Sequence, residues 1–334
     1  MSSLSALSQN GPQSRILQLN ADVLGCICSL LDPRGLAALE ATSRALRHFA
    51  FACWKTQAIR EGMEPESLPS DISYCRMFKN LYPGSFGPRF YKDYFGGNAL
   101  PVAPIPRAYI EASNRPDLST SLLGKIKDNF QAVFLPEFIR IVIDVNSPLV
   151  LDANGRLIED PLAVGVEREP IDVPVTLNNM AMLAEKGLKR GAPTGFSEQS
   201  WRNILAQHGD TRIKSHWFYP RKDVIALNQS YAEQQGAAAR AGLEITPLID
   251  TAIYYLFRRI RLGDAGRRYI ARTSTSTLDN DNPPNAWPSS LWWPASGPAA
   301  RLHLSPSSHF RSFGNGRVGV AVGVPAGSSQ AIGP

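Results

Sequence analysis

The chain has 334 residues, 43% of them apolar and 19% charged, with 26 glycines, 26 prolines and a formal net charge of +6. That length buries a sizeable core in one large or two smaller domains. Its apolar runs, such as the one within 21–31, fall short of the roughly 20 residues that cross a bilayer, and no charged start leads into an apolar stretch as a secretory signal would.

Taken in order, residues 1–14 (MSSLSALSQNGPQS) are serine-rich and lack any acid. This composition predicts a disordered tail. Asn20 then caps a predicted helix through Leu31, with Val23, Leu24, Ile27 and Leu31 at helical spacing. Asp32-Pro33 opens a second helix, proline being harmless at its first position. Leu36, Leu39, Ser43, Leu46 and Phe49 form its inner stripe, and a continuation through Trp54 and Ile59 ends near Gly62. All four cysteines (Cys26, Cys28, Cys53 and Cys75) lie in the first quarter. They form no CxxC pair and read as small apolar residues of a reduced compartment.

Residues 63–107 read as a connecting region. From 82 it is rich in proline, which excludes a regular element over much of its length. Phe86, Phe90, Tyr91, Tyr94 and Phe95 predict that it packs on the larger domain beyond it. From 108 to 325 helical and strand patterns alternate. The strand candidates are 138–145, a hairpin over 149–158 turning at Asn154-Gly155, 214–220, and short strands around 301–304 and 317–324. Helices are expected over 176–189, from a Ser197 cap through Gln207, over 230–242, and from Thr246-Pro247 to Gly263. A polar loop rich in Asn, Pro and Trp separates the late strands, and 326–334 read as a flexible end. The fold class is α+β, a small helical module at 15–62 preceding a larger mixed domain.

The net charge is concentrated. From Arg258 onward nine arginines face only Asp264, Asp279 and Asp281, while the preceding residues balance. This predicts a cationic C-terminal quarter. Arg258, Arg261, Arg268, Arg272, Trp292, Trp293 and Arg301 are its candidate partner-binding residues, because arginine and tryptophan are enriched where interfaces bind most strongly.

Motifs that could carry chemistry are few. GNGRVG at 314–319 fits GxGxxG, but no acidic residue comes after it, so a turn at Asn315-Gly316 is the better account. RTSTST at 272–277 resembles a strand of arginine-type ADP-ribosyltransferases; the Glu-x-Glu they need is missing, since no glutamate comes after Glu244. LDNDNPP lacks the glycine and closing glutamate of a calcium loop. His303 and His309 read as solvated. His216 reads as a hydrogen-bonded strand residue, and nothing local makes Cys75 its nucleophile. No catalytic residue, metal site or cofactor is expected.

The opening stretch, LNADVLGCICSLLDPRGLAALEATSRALRHF, resembles the F-box, the helical module by which substrate adaptors attach to Skp1 in cullin-RING ubiquitin ligases. The family's positions are held by Leu19, Asp22, Val23 with Leu24, Ile27, Leu31, Leu36, Leu39, Ser43-Arg44 and Trp54. Asn20, Gly35 and Cys53 depart from the pattern, standing where proline, aspartate and leucine are usual. The resemblance implies a Skp1-binding face of Leu19, Val23, Leu24, Ile27, Leu31, Leu36, Leu39, Ser43, Leu46 and Trp54. Skp1 would connect it to cullin-1, and the domain beyond would capture a host target protein.

YKDYFGG, PVTLNN and KSHWFYPRKDVI are similar to stretches of F-box-like effectors that bacteria secrete into eukaryotic cells. That implies type III secretion and action in the host cytoplasm or nucleus, a eukaryotic adaptor being the alternative. Two other functions stay open at this point: an enzyme of unread chemistry in the second domain, or nucleic-acid binding through the late arginines. Neither a membrane partner nor, on balance, a nucleic acid is expected.

Overall fold

The computed structural model describes residues 21–31, 33–42, 44–82, 84–114, 130–191, 193–196, 202–263, 269–278, 286–292, 303–306 and 317–325. The protein is α+β. Three helices open it: α1 (Ala21–Leu30), α2 (Pro33–Thr42) and α3 (Arg44–Arg60). The expected stop at Gly62 is a left-handed glycine (φ 70°). Gly62 donates to Ile59 and Met63 to Ala58 at 2.9 and 2.8 Å, the reciprocal bonds that satisfy a helix end's last carbonyls.

The connecting region is more regular than its prolines suggest. Helix α4 (Tyr74–Leu81) is capped by Ser73, whose side chain accepts from Arg76 N–H. Helix α5 (Pro88–Tyr94) starts on a proline, where the missing N–H has no intrahelical partner to lose. Strand β1 (Asn98–Leu100) and helix α6 (Arg107–Asn114) come next. Proline thus initiates an element here instead of excluding one.

Beyond them lie β2 (Val133–Leu135), β3 (Phe138–Ile141), β4 (Leu149–Leu151), β5 (Leu157–Glu159) and β6 (Ile171–Pro174). Strand β3 stops short of 145 because Asp144 accepts the Asn146 amide and forms a turn. In the β4–β5 hairpin Asp152 pairs with Arg156 across a three-residue loop, not the two-residue turn expected. The Asp152 carboxylate accepts both the Asn154 and Arg156 amides at 2.8 Å, and Gly155 takes the left-handed conformation (φ 80°). Helix α7 (Leu177–Lys186) is capped by Thr176. Helix α8 covers Arg202–His208, and the Ser197 cap proposed for it lies outside the described residues.

Strand β7 (His216–Phe218) pairs antiparallel with β2. Helix α9 (Tyr231–Arg240) carries a complete capping box between Ser230 and Glu233. After β8 (Glu244–Ile245) comes α10 (Leu248–Leu262), which begins one residue later than expected, with Pro247 itself as the cap. Strand β9 (Tyr269–Leu278) pairs with β10 (Ala286–Trp292), where a polar loop was expected. Pro288 is accommodated because the register shifts between Pro288 and Ser290. Beside them lie β11 (His303–Pro306) and β12 (Arg317–Val320), in the order β11-β10-β9-β12 with β12 parallel to β9. Strand β13 (Val322–Gly323) pairs with β8, and a three-stranded sheet runs β1-β3-β6.

One continuous apolar cluster joins most of these elements, from Cys28 and Leu36 to Val324, while Ala238 of α9, Val320 of β12 and Val322 of β13 form a smaller second one. The aromatic stretch after residue 82 does pack onward as its composition predicts. Phe86, Phe90, Tyr91 and Phe95 surround Phe257 of α10 at centroid distances of 5.6, 4.6, 5.5 and 6.3 Å. Trp217 meets Phe134 at 5.3 Å and donates its indole N–H to Ala103 at 2.8 Å. The N-terminal helices join the same core through Trp54, 5.4 Å from Phe78 of α4.

Candidate functional site

Helix α1 has two apolar faces. At 3.6 residues per turn, Leu24, Cys28 and Leu31 fall on one side and Val23, Ile27 and Leu30 on the other. Leu24 and Cys28 are buried and Leu31 packs against the core. Val23, Ile27 and Leu30 are 41%, 39% and 82% exposed. The helix is fixed at its end by Arg60, which donates to the Leu31 carbonyl at 2.9 Å. Burial, and next the neighbouring Cys53, pushes the Cys28 thiol up to about 11, so this thiol stays protonated and packs as a small apolar group.

The expected Skp1-facing residues therefore separate. Leu36 is fully buried and Trp54 nearly so, while Leu39 is half-buried against the core. Leu36 and Trp54 stabilise the protein's own body and are withdrawn from any outward face. Val23 and Ile27 remain outward. Leu30, which the family positions did not select, is the most exposed of the three; its spacing of three and seven residues from Ile27 and Val23 was the available signal. Leu19 and Ser43 lie outside the described residues, as does the Leu46 side chain. On the inner side, Glu40 of α2 accepts Lys79 at 2.6 Å and the Cys75 thiol at 3.6 Å. Burial opposes its charge, but Lys79 holds the Glu40 carboxyl below its ordinary value.

Among the described residues, three of the late arginines turn into the fold. Arg261 of α10 donates to the Ser85 carbonyl at 2.7 Å and to Gly84, and lies 3.9 Å over the Phe86 ring. Arg258 donates to Lys222 O at 2.8 Å. Arg272 on β9 reaches Gln229 O at 3.3 Å and Gln234 Oε1 at 3.2 Å. Burial lowers both the Arg261 and the Arg272 guanidinium from the usual value. Charge counting from sequence predicts a cationic surface; these three side chains bind backbone carbonyls of distant segments. Arg268, Trp293 and Arg301 lie outside the described residues, and Trp292 is placed as the last residue of β10, paired with His303.

Two polar clusters were not legible in the sequence. At the end of α3 the buried Glu61 carboxylate receives Arg89 at 2.7 Å, Gln57 at 3.1 Å and Tyr82 at 3.4 Å. It borders a cavity of about 210 Å³ that Tyr94, Arg190 and Arg261 also line. On β7, His216 Nε2 lies 3.1 Å from Asp250 of α10, and its Nδ1 lies 2.8 Å from the Lys214 carbonyl. Cys75 meets Glu40 instead of this dyad. Burial works against charge on His216, but the Asp250 hydrogen bond and charge outweigh it and raise its pKa.

No helix among the described residues is long and apolar enough to cross a membrane. Among known proteins, no family model, curated protein or solved structure matches this chain.

Proposed function

We propose that the protein is a substrate adaptor: it binds Skp1 through its N-terminal helices and holds a target protein, captured by the α+β body, close to a cullin-RING ubiquitin ligase. The F-box-like order of residues 19–54 motivates this reading. The observation that carries it is the outward stripe of Val23, Ile27 and Leu30 on a helix whose neighbouring face is anchored. Exposed apolar side chains in register on one helix face suit a partner's groove. Ten residues of helix span about 15 Å, so an interface of the roughly 1,000 Å² that stability requires must extend beyond α1; Ile59 on α3 is exposed as well. Catalysis would come from proximity between target and ubiquitin-loaded enzyme, with no bond chemistry on this chain. The similarity of its later stretches to secreted F-box-like effectors makes a bacterial effector acting inside a host cell the setting that fits best.

The test is co-purification of the full chain with recombinant Skp1. The wild-type protein is expected to co-elute. Ile27→Asp with Leu30→Asp is expected to abolish the complex while circular dichroism stays unchanged. Failure of the wild type to bind, or undiminished binding by that variant, rejects the reading. Leu36→Asp cannot serve, because it places a charge in the core.

A further inference from the structure

The densest group of uncovered apolar side chains lies far from α1 in sequence. Val142, Val145, Ile158, Leu162, Val164 and Val166 are six of the thirteen large hydrophobic residues exposed among the described residues, and they fall within 25 positions. Leu162 is 88% exposed.

This lobe is tied together internally. Arg168 donates to the carbonyl of Ser147 at 2.9 Å and to those of Leu149 and Ala163. Gly165 N–H reaches the Val145 carbonyl and Asp160 N–H the Pro148 carbonyl, both at 2.8 Å. The apolar side chains are therefore presented on an ordered scaffold.

The lobe's charge is opposite to that of the whole molecule. Residues 142–170 hold six acids (Asp144, Asp152, Glu159, Asp160, Glu167 and Glu169) against Arg156 and Arg168, a net charge of −4. Both arginines are engaged, Arg168 by carbonyls and Arg156 by Asp210 at 3.6 Å, and among the acids Glu159 pairs with Lys186 of α7. Glu167 directly follows Val166 and Glu169 lies three positions beyond it; both are exposed, and neither makes an ion pair with a described residue.

From this combination we infer that the lobe is a docking surface for a partner-protein segment that alternates apolar with lysine or arginine side chains. Apolar contact supplies affinity, at about 25 cal/mol per Å² removed from water. The unpaired carboxylates supply selection, since like charge across an interface is repulsive and opposite charge speeds encounter. Two such lobes facing each other would repel, which argues against a second copy as the occupant. The inference stands apart from Skp1 binding, because the lobe shares no residue with α1.

The test uses fluorescence polarisation with three labelled synthetic peptides of equal length: lysine–leucine, lysine–serine and glutamate–leucine. The full chain is expected to bind lysine–leucine at least about tenfold more tightly than either other peptide, a difference of about 1.4 kcal/mol. Hydrogen exchange should slow within 142–170 on binding. Glu167→Lys with Glu169→Lys, and separately Leu162→Ser with Val166→Ser, are each expected to weaken binding about tenfold; all four positions are exposed, so unchanged thermal unfolding verifies the fold. Equal binding of all peptides, protection elsewhere, or unaffected variants overturns the proposal. So does self-association that these variants abolish, which would assign the face to a second copy.

Discussion

His216 shows how one side chain acquires a property its sequence neighbours do not supply. Its ring lies between the Lys214 carbonyl and Asp250, and Glu244 nearby is raised first by burial and then by Asp250. A histidine whose folded pKa exceeds its unfolded one contributes stability below the unfolded value, near 6.5, and loses it as pH rises through the folded value. The destabilisation caused by His216→Gln is therefore expected to be larger at pH 5.5 than at pH 8.5 in urea titrations. In an Asp250→Asn background the difference should vanish or reverse, because burial, which opposes the charge, then acts against the Lys214 carbonyl alone. An equal effect at both pH values would mean that the contact acts by packing alone. The same residue-scale lesson covers Arg261, whose guanidinium is held by carbonyls 176 and 177 residues away.

At the scale of elements, α1 and α2 show why helical periodicity locates an apolar face without saying what covers it. The spacing of Val23, Ile27, Leu36 and Leu39 was readable, and so were the helix breaks at Asp32-Pro33 and Gly62. Which stripe faces inward was not, because α1 is apolar on two sides. Leu36→Ala is expected to destabilise the protein by about 2–5 kcal/mol through lost contacts and a residual cavity. Ile27→Ala or Leu30→Ala should stay within about 0.5 kcal/mol. Urea unfolding measures both; equal costs would show that the outer face is covered in solution. The strand β10 was missed for a related reason. Its Pro288 reads locally as a breaker, and only the register shift opposite β9 makes room for it.

For the whole molecule, the apolar cluster that includes both Leu36 and Val324 argues that residues 15–62 do not fold as an independent module. Trp54 packs on Phe78, and Glu61 is held by Arg89 across the expected boundary. Deleting residues 1–62 would strip Trp54 from the Phe78 ring and take from Arg89 its closer carboxylate, Glu61, leaving only Asp93. Fragment 63–334 is expected to aggregate, or to bind a hydrophobic dye that the full chain does not bind. A monomeric fragment with the parent's melting temperature would restore the module as a separate unit. Helix α1, built into the body in this way, would hold anything docked on its exposed face at a fixed distance from the rest of the described fold.

Several features were set by the sequence alone: the α+β class, the aromatic packing after residue 82 and the left-handed glycine at Gly62. Each arises from hydrogen bonds and periodicities that act over a few residues. Tertiary structure alone decided that Leu36 and Trp54 are sealed against the protein's own body instead of facing a partner, that Arg258, Arg261 and Arg272 bind distant carbonyls, and that an acidic apolar lobe at 142–170 stands uncovered. Burial depends on what the remote chain brings alongside, and neither spacing nor charge counting carries that information.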